Sequence, residues 1–303
     1  MIPRAKLAAH GPDFSRLVYG TWRILDEPTP SLQELNRRFN TCVDLGMTTF
    51  DTAEIYGLYE VEEALGKALA LSPGLREKIE LVTKAGIYVP CHYHPDRRTA
   101  HYNATGARMV KSLEKSLRFL QTDHVELFLV HRPDWLTSAD DTAAGLNQLV
   151  REGKVRSAGV SNYNTHQFDL LNSRMEQPLV TNQVEFHLLF MDPIYDGIFD
   201  QCQRLKVLPM AWSPMAGGRL FDPMNEAAER IRVTAEQMAP RYNGASLEQL
   251  AYAWILAHPA MALPVIGTNK IERIQTAAAS VSIQLERQDW YALWEAAKGR
   301  RIP

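Results

Sequence analysis

Eight short apolar runs alternate with amphipathic, helix-like segments along a 303-residue chain that no linker divides. The first run is not followed by a glycine-rich phosphate turn. Together these observations predict an α/β chain folded as one (β/α)₈ barrel of the TIM type over residues 1–303, with an extra C-terminal helix and long loops on the C-terminal face. The expected strands are 16–20, 47–50, 79–84, 125–130, 155–160, 179–183, 207–212 and 261–266. Several are nearly continuous apolar runs, as strands covered on both faces tend to be.

The helices follow from spacing and caps. Leu32, Leu35, Phe39 and Val43 recur at helical intervals behind the capping box Ser31-x-x-Glu34. Val110, Leu113, Leu117 and Leu120 mark a second helix, with Thr105 as its expected cap. Asn164 with Gln167 opens a third. Ser246 with Gln249 opens a fourth, which carries Leu250, Trp254 and Ile255 inward. Residues 288–298 form the expected extra helix. A doubly wound sheet is the rival architecture, but a dinucleotide site there calls for a glycine-rich first turn. Tyr19-Gly20-Thr21-Trp22 stands at that point instead. Long connections at 85–104 and 213–245 fall on the barrel's C-terminal face, where active sites are built.

Composition narrows the function classes. Thirty-three basic and 35 acidic residues leave a formal charge of −2, so neither nucleic acid nor an anionic membrane is an expected partner. Cys42, Cys91 and Cys202 are far apart and lack CxxC spacing, which argues against a disulfide framework or a zinc site. The N-terminus shows no apolar leader core, and no run nears about 18 apolar residues. The expected setting is the cytoplasm. Oligomeric state is not legible.

The chemistry collects at the strand ends. Asp51 follows the second run, Lys84 ends the third, and His131 follows the fourth. Ser161 and Asn162 follow the fifth, Gln183 ends the sixth, Trp212 ends the seventh, and Gly267 follows the eighth. Burial disfavours a lysine's charge unless an anion is near, and Asp51 is one strand away. A plain structural ion pair is the alternative for those two residues. Tyr56 lies five positions past Asp51. A neighbouring ammonium lowers a phenol's pKa, so Asp51, Lys84 and Tyr56 are expected to form a tuned acid. His131 is placed to hydrogen-bond a substrate oxygen.

With those residues in view, the sequence resembles the aldo-keto reductase family over nearly its whole length. The matching pieces are Gly20-Thr21-Trp22, Asp51-Thr-Ala-Glu-Ile-Tyr56-Gly57, Lys84, and Leu129-Val130-His131-Arg132-Pro133. Further on come Gly159-Val160-Ser161-Asn162-Tyr163, Asn182-Gln183-Val184-Glu185 and Pro264-Val265-Ile266-Gly267-Thr268. The resemblance implies a catalytic tetrad of Asp51, Tyr56, Lys84 and His131. It implies reduction of small aldehydes or ketones by hydride from NADP(H), with Tyr56 as general acid.

The resemblance also implies a cofactor lying across the barrel rim. Thr21 and Trp22 would border it, Ser161, Asn162 and Gln183 would hold its carboxamide, and Trp212 would stack on its ring. Ser213, Pro214, Gly217, Gly218 and Arg219 would pass along the pyrophosphate. Gly267, Thr268, Asn269, Lys270 and Arg273 would receive the 2′-phosphate at a helix start. Thr276 and Ala277 depart from the acidic residue and asparagine that relatives set against adenine. Expected substrate contacts are Trp22, Tyr56, Tyr88, His131 and Trp135, an aromatic wall suited to apolar carbonyl compounds. His92, Tyr93, His94 and His101 read as a solvated loop, not a metal site. Two other classes fit the same barrel. One is a lyase using Lys84 as a Schiff base. The other is a regulatory subunit that holds NADPH with little turnover, as the family's potassium-channel β subunits do.

Overall fold

A computed structural model of the chain describes residues 1–26 and 28–302; Glu27 and Pro303, inside the expected 1–303 domain, lie outside the described residues. The strands in chain order are β1 (Arg4–Lys6), β2 (Asp13–Ser15), β3 (Val18–Gly20), β4 (Thr49–Asp51), β5 (Glu80–Ala85), β6 (Ile87–Tyr88), β7 (His101–Tyr102), β8 (Val125–Val130), β9 (Val155–Ser161), β10 (Asn182–Glu185), β11 (Met210–Trp212) and β12 (Leu263–Ile266). The helices are α1 (Leu32–Asp44), α2 (Val61–Leu69), α3 (Gly106–Leu120), α4 (Ala139–Arg151), α5 (Thr165–Asn172), α6 (Asp192–Tyr195), α7 (Ile198–Leu205), α8 (Glu226–Met238), α9 (Leu247–Leu256), α10 (Ile271–Ala279) and α11 (Arg287–Lys298). Strands β3, β4, β5, β8, β9, β10, β11 and β12 pair in parallel and close on one another as a barrel.

All eight expected strands exist, mostly shortened at their N-terminal ends, and Val125–Val130 matches throughout. The barrel is tied to its helices by apolar contacts. Tyr19, Phe39 and Phe50 meet edge to face at 5.4 to 6.1 Å between β3, β4 and α1. Close approach of backbone sets one constraint on the wall. A Cβ on Gly20 would lie 2.9 Å from the Ile266 carbonyl oxygen, so the β3–β12 seam admits only glycine without a shift. The capping boxes at Ser31, Asn164 and Ser246 are all formed, each stabilising its helix start by about 1 kcal/mol.

Four features depart from the sequence expectation. Residues 4–15 form an antiparallel hairpin at the N-terminal end of the barrel. There Ser15 exchanges hydrogen bonds with Thr49, and Arg4 pairs with Glu80. Its three-residue strands carry Arg4, Lys6 and Asp13 and so show no apolar run. The 85–104 connection contains the β6–β7 pair, and 213–245 contains α8. Thr105 stands at the start of α3 without capping it; its hydroxyl is turned toward Asn103, to whose Oδ1 it donates at 2.7 Å.

Candidate active site

The C-terminal ends of β4 and β5 bring Asp51 and Lys84 together. Lys84 is fully buried, and its ammonium has three N–H groups to satisfy. Its Nζ donates to Asp51 Oδ2 at 2.6 Å, to the Thr52 carbonyl at 2.7 Å, and to the Tyr56 hydroxyl at 3.1 Å. The other Asp51 oxygen accepts from Gln183 Nε2 at 2.8 Å. Burial alone would push the Lys84 pKa down. Burial is the largest single influence, but the charge of Asp51 and the hydrogen bonds to Asp51 and Tyr56 together outweigh it and hold the pKa above the ordinary lysine value. Lys84 is therefore an ammonium at neutral pH.

Tyr56 opens a tight turn in which Gly57, Leu58 and Tyr59 all have positive φ. Left-handed backbone at Leu58 and Tyr59 is strained, and the strain is placed beside the phenol. The expected net lowering of the Tyr56 pKa is corrected here. Burial prevails over the pull of Lys84, and the phenol stands above its ordinary value. Tyr56 keeps its proton at neutral pH, so Asp51 is the anion that holds Lys84 charged.

His131 follows β8, its ring edge-on to Tyr56 at 6.0 Å. Burial, then the Lys84 charge, holds its pKa well below the ordinary histidine value. The imidazole is neutral, and its buried Nδ1 has no hydrogen-bond partner among the described residues.

Above these groups opens a cavity of about 560 Å³, within the usual range for a ligand site. Asp51, Tyr56, His131, Ser161, Asn162, Gln183 and Trp212 all face it, as do Trp22, Ser213, Pro214, Gly217, Gly218, Arg219, Gly267, Thr268 and Arg273. The polar wall is interlocked. Ser161 donates to the Gln183 carbonyl at 2.8 Å, Asn162 donates to Ser161 at 2.8 Å, and Trp212 Nε1 donates to Asn162 Oδ1 at 2.9 Å. At the far end Arg273 binds both Glu248 oxygens at 3.0 to 3.2 Å. Arg219 lies 3.6 Å from Glu185.

Five of the expected residues do not line the cavity. Tyr88 is completely buried outside the cavity, with its hydroxyl 2.9 Å from Ser112. Trp135 is 80% exposed, packs on Tyr102, and does not line the cavity. Thr21 is buried and donates to the Asp51 carbonyl, which makes it a wall residue of the barrel. Asn269 is occupied by Arg38 and the Arg23 carbonyl. Lys270 is exposed at the start of α10, off the cavity lining. In turn Arg23, Arg132, Glu185, Glu248 and Tyr252 line the cavity without having been singled out. Arg23 and Arg132 directly follow Trp22 and His131, and Glu185 lies two residues past Gln183; Glu248 and Tyr252 lie on α9 and gave no local signal.

The aldo/keto reductase family model matches residues 16–298. A 6-dehydroglucose reductase from Agrobacterium fabrum is 43% identical over 96% of both chains. The oxidoreductase YdhF of Escherichia coli is 42% identical over the full length of both. A crystal structure of an aldo/keto reductase from Klebsiella pneumoniae in complex with NADP and acetate superposes with a TM-score of 0.75 at 29% identity, over 95% of this chain and 94% of that one. This chain belongs to the aldo/keto reductase family. Its class is therefore that of an oxidoreductase on a parallel eight-stranded barrel. Among the described residues no helix is long and apolar enough to cross a membrane.

Proposed function

We propose that the chain, as one barrel domain, reduces a small aldehyde or ketone to the alcohol with NADPH, and that Tyr56 delivers the proton. The observation that carries this reading is the Lys84 ammonium, 2.6 Å from Asp51 and 3.1 Å from the Tyr56 hydroxyl, directly beneath the cavity. The residues present fit the cofactor. Ser161, Asn162 and Gln183 offer the donors and acceptors that a carboxamide requires, and Trp212 offers an aromatic plane. Gly217 and Gly218 leave the backbone open to a pyrophosphate; apart from their chain neighbours, no heavy atom of the described residues lies within 4 Å of where either side chain would begin. Arg219 and Arg273 supply cations that can exchange a glutamate for a phosphate.

Bound NADPH supplies a hydride, and its arrival at the carbonyl carbon leaves negative charge on the oxygen. Tyr56 gives its proton to that oxygen. An alkoxide is a far stronger base than a phenolate, so the transfer runs downhill even from a phenol whose pKa burial has raised. Lys84 stabilises the phenolate that remains, and Asp51 keeps Lys84 from sharing its own proton. Neutral His131 can donate an N–H to the same oxygen without adding a second positive charge beside Lys84.

The cavity wall combines Trp22 and Trp212 with Arg132 and Glu185. That mixture, and the similarity to a 6-dehydroglucose reductase, favour a hydroxylated aldehyde. Trp22, more than half exposed at the mouth, supports an apolar aromatic aldehyde as the second reading. Following NADPH absorbance with both kinds of aldehyde decides the matter. A higher kcat/KM for hydroxylated aldehydes supports the first reading, a preference for aromatic ones supports the second, and no turnover of either contradicts the assignment.

A further inference from the structure

Arg108, Lys111, Lys115 and Arg118 recur along α3 at steps of three, four and three, which puts four cations on one side of the helix. A stripe of that kind is ordinarily a solvated face. Here it walls a cleft of about 300 Å³, closed on the other side by His94, Asp96 and Arg97 of the 85–104 connection. No residue of this cleft also lines the active cavity. Among the described residues Arg97, Arg108, Lys111 and Arg118 have no acidic group at ion-pair distance; Lys115 reaches Glu54 only at 4.0 Å. Aromatic faces hold the cations in place. Arg97 and Arg108 lie 4.9 and 4.4 Å from the Tyr88 ring, and Lys115 lies 4.9 Å from Tyr59.

The second observation is at the base of the cleft. Glu54 is 6% exposed, and its Oε2 has no hydrogen-bond partner among the described residues. A buried carboxylate oxygen without a donor is costly. Burial raises the Glu54 pKa against the opposing pull of Lys115, Ser112, Arg108 and Arg97, so an incoming anion meets a weakened negative charge.

We propose that this cleft binds a small phosphomonoester of a polyol, with the phosphate against the α3 cations and one hydroxyl donating to Glu54 Oε2. Five cationic side chains against Glu54 and Asp96 leave the surplus of positive charge that a dianion needs. The volume suits a compound of a few carbons, not a polymer. The ligand would also touch the catalytic loop, because the Glu54 backbone N–H donates to the Lys84 carbonyl at 2.9 Å.

Calorimetric titration of the full chain with glycerol 3-phosphate tests this, with glycerol and inorganic phosphate as controls. The expected dissociation constant is about 1 mM or tighter. Inorganic phosphate is expected to bind more weakly and glycerol not at all. Lys111→Gln/Arg118→Gln changes two exposed side chains and is expected to weaken binding at least about tenfold, with the thermal midpoint unchanged. Lys111→Gln alone is expected to show a smaller loss. Arg273→Gln, in the active cavity, is expected to leave binding intact. Absence of heat, phosphate binding as tightly as glycerol 3-phosphate, or a loss confined to or equal in Arg273→Gln overturns the proposal.

Discussion

At the floor of the active cavity Lys84 spends all three N–H groups on fixed partners, and both Asp51 oxygens are occupied; Lys84 and Asp51 are buried, and Tyr56 is half-buried where it meets the cavity. At the far end Gly217 and Gly218 turn through positive φ with open space, among the described residues, where a side chain would begin, and Arg219 and Arg273 rest on glutamates while still substantially exposed. The two ends answer different demands. A proton donor must be held in one geometry in a low dielectric, where each electrostatic contact is strong. A site for a ligand that carries its own charges needs solvated cations free to change partners. On the proposed reading, fixed partners are concentrated where bonds change and exchangeable ones where the cofactor enters.

The sharpest way to break this contrast is Lys84→Met. It strands the buried Asp51 carboxylate, and chemical denaturation should show a loss of about 3 to 5 kcal/mol. Asp51→Asn/Lys84→Met should recover part of that loss. Destabilisation no greater than that of Arg273→Ala, whose pair is partly solvated, would remove the distinction between floor and mouth.

A neighbouring group isolates the contribution of the cation. Glu62 is as buried as Asp51 and accepts from Thr83 and Ser116, but no ammonium touches it, and burial raises its pKa to about 7. A carboxyl whose folded pKa is raised binds more protons folded than unfolded. Its contribution is thus most favourable below the unfolded pKa and fades as pH climbs from about 4.5 to about 7. Glu62→Gln should be more stable relative to wild type at pH 8 than at pH 5, by up to about 3 kcal/mol. Equal differences in stability at the two pH values would show that Glu62 titrates normally.

The smallest effect belongs to the open end. Arg273→Ala should raise the Kd for NADPH at least about tenfold and leave that for NADH nearly unchanged, as judged by fluorescence titration. Parallel losses would place the 2′-phosphate elsewhere.

The sequence made the floor legible and the mouth only partly so. Asp51, Lys84 and His131 end apolar strands, and strand ends of a parallel barrel share one rim, so periodicity alone brought them together. Tyr88 and Trp135 lie off the cavity lining because loop conformation decides where an aromatic points. Tyr88 turned away from the cavity to pair with Ser112. The sign of the Tyr56 pKa shift depends on how deeply the phenol is buried, which no motif encodes. The α3 stripe was readable as charge at helical spacing, but the buried Glu54 facing it was not. The N-terminal hairpin was missed because its strands are short and charged.

The central claim is that Tyr56 gives up a proton because a carboxylate-anchored ammonium waits to stabilise what it leaves behind. Single-turnover oxidation of NADPH by Tyr56→Phe, at saturating aldehyde, tests it most directly. The account predicts a rate at least about 10²-fold below wild type, with NADPH affinity kept. A rate within about threefold of wild type, far short of what a positioned proton donor contributes, would contradict it.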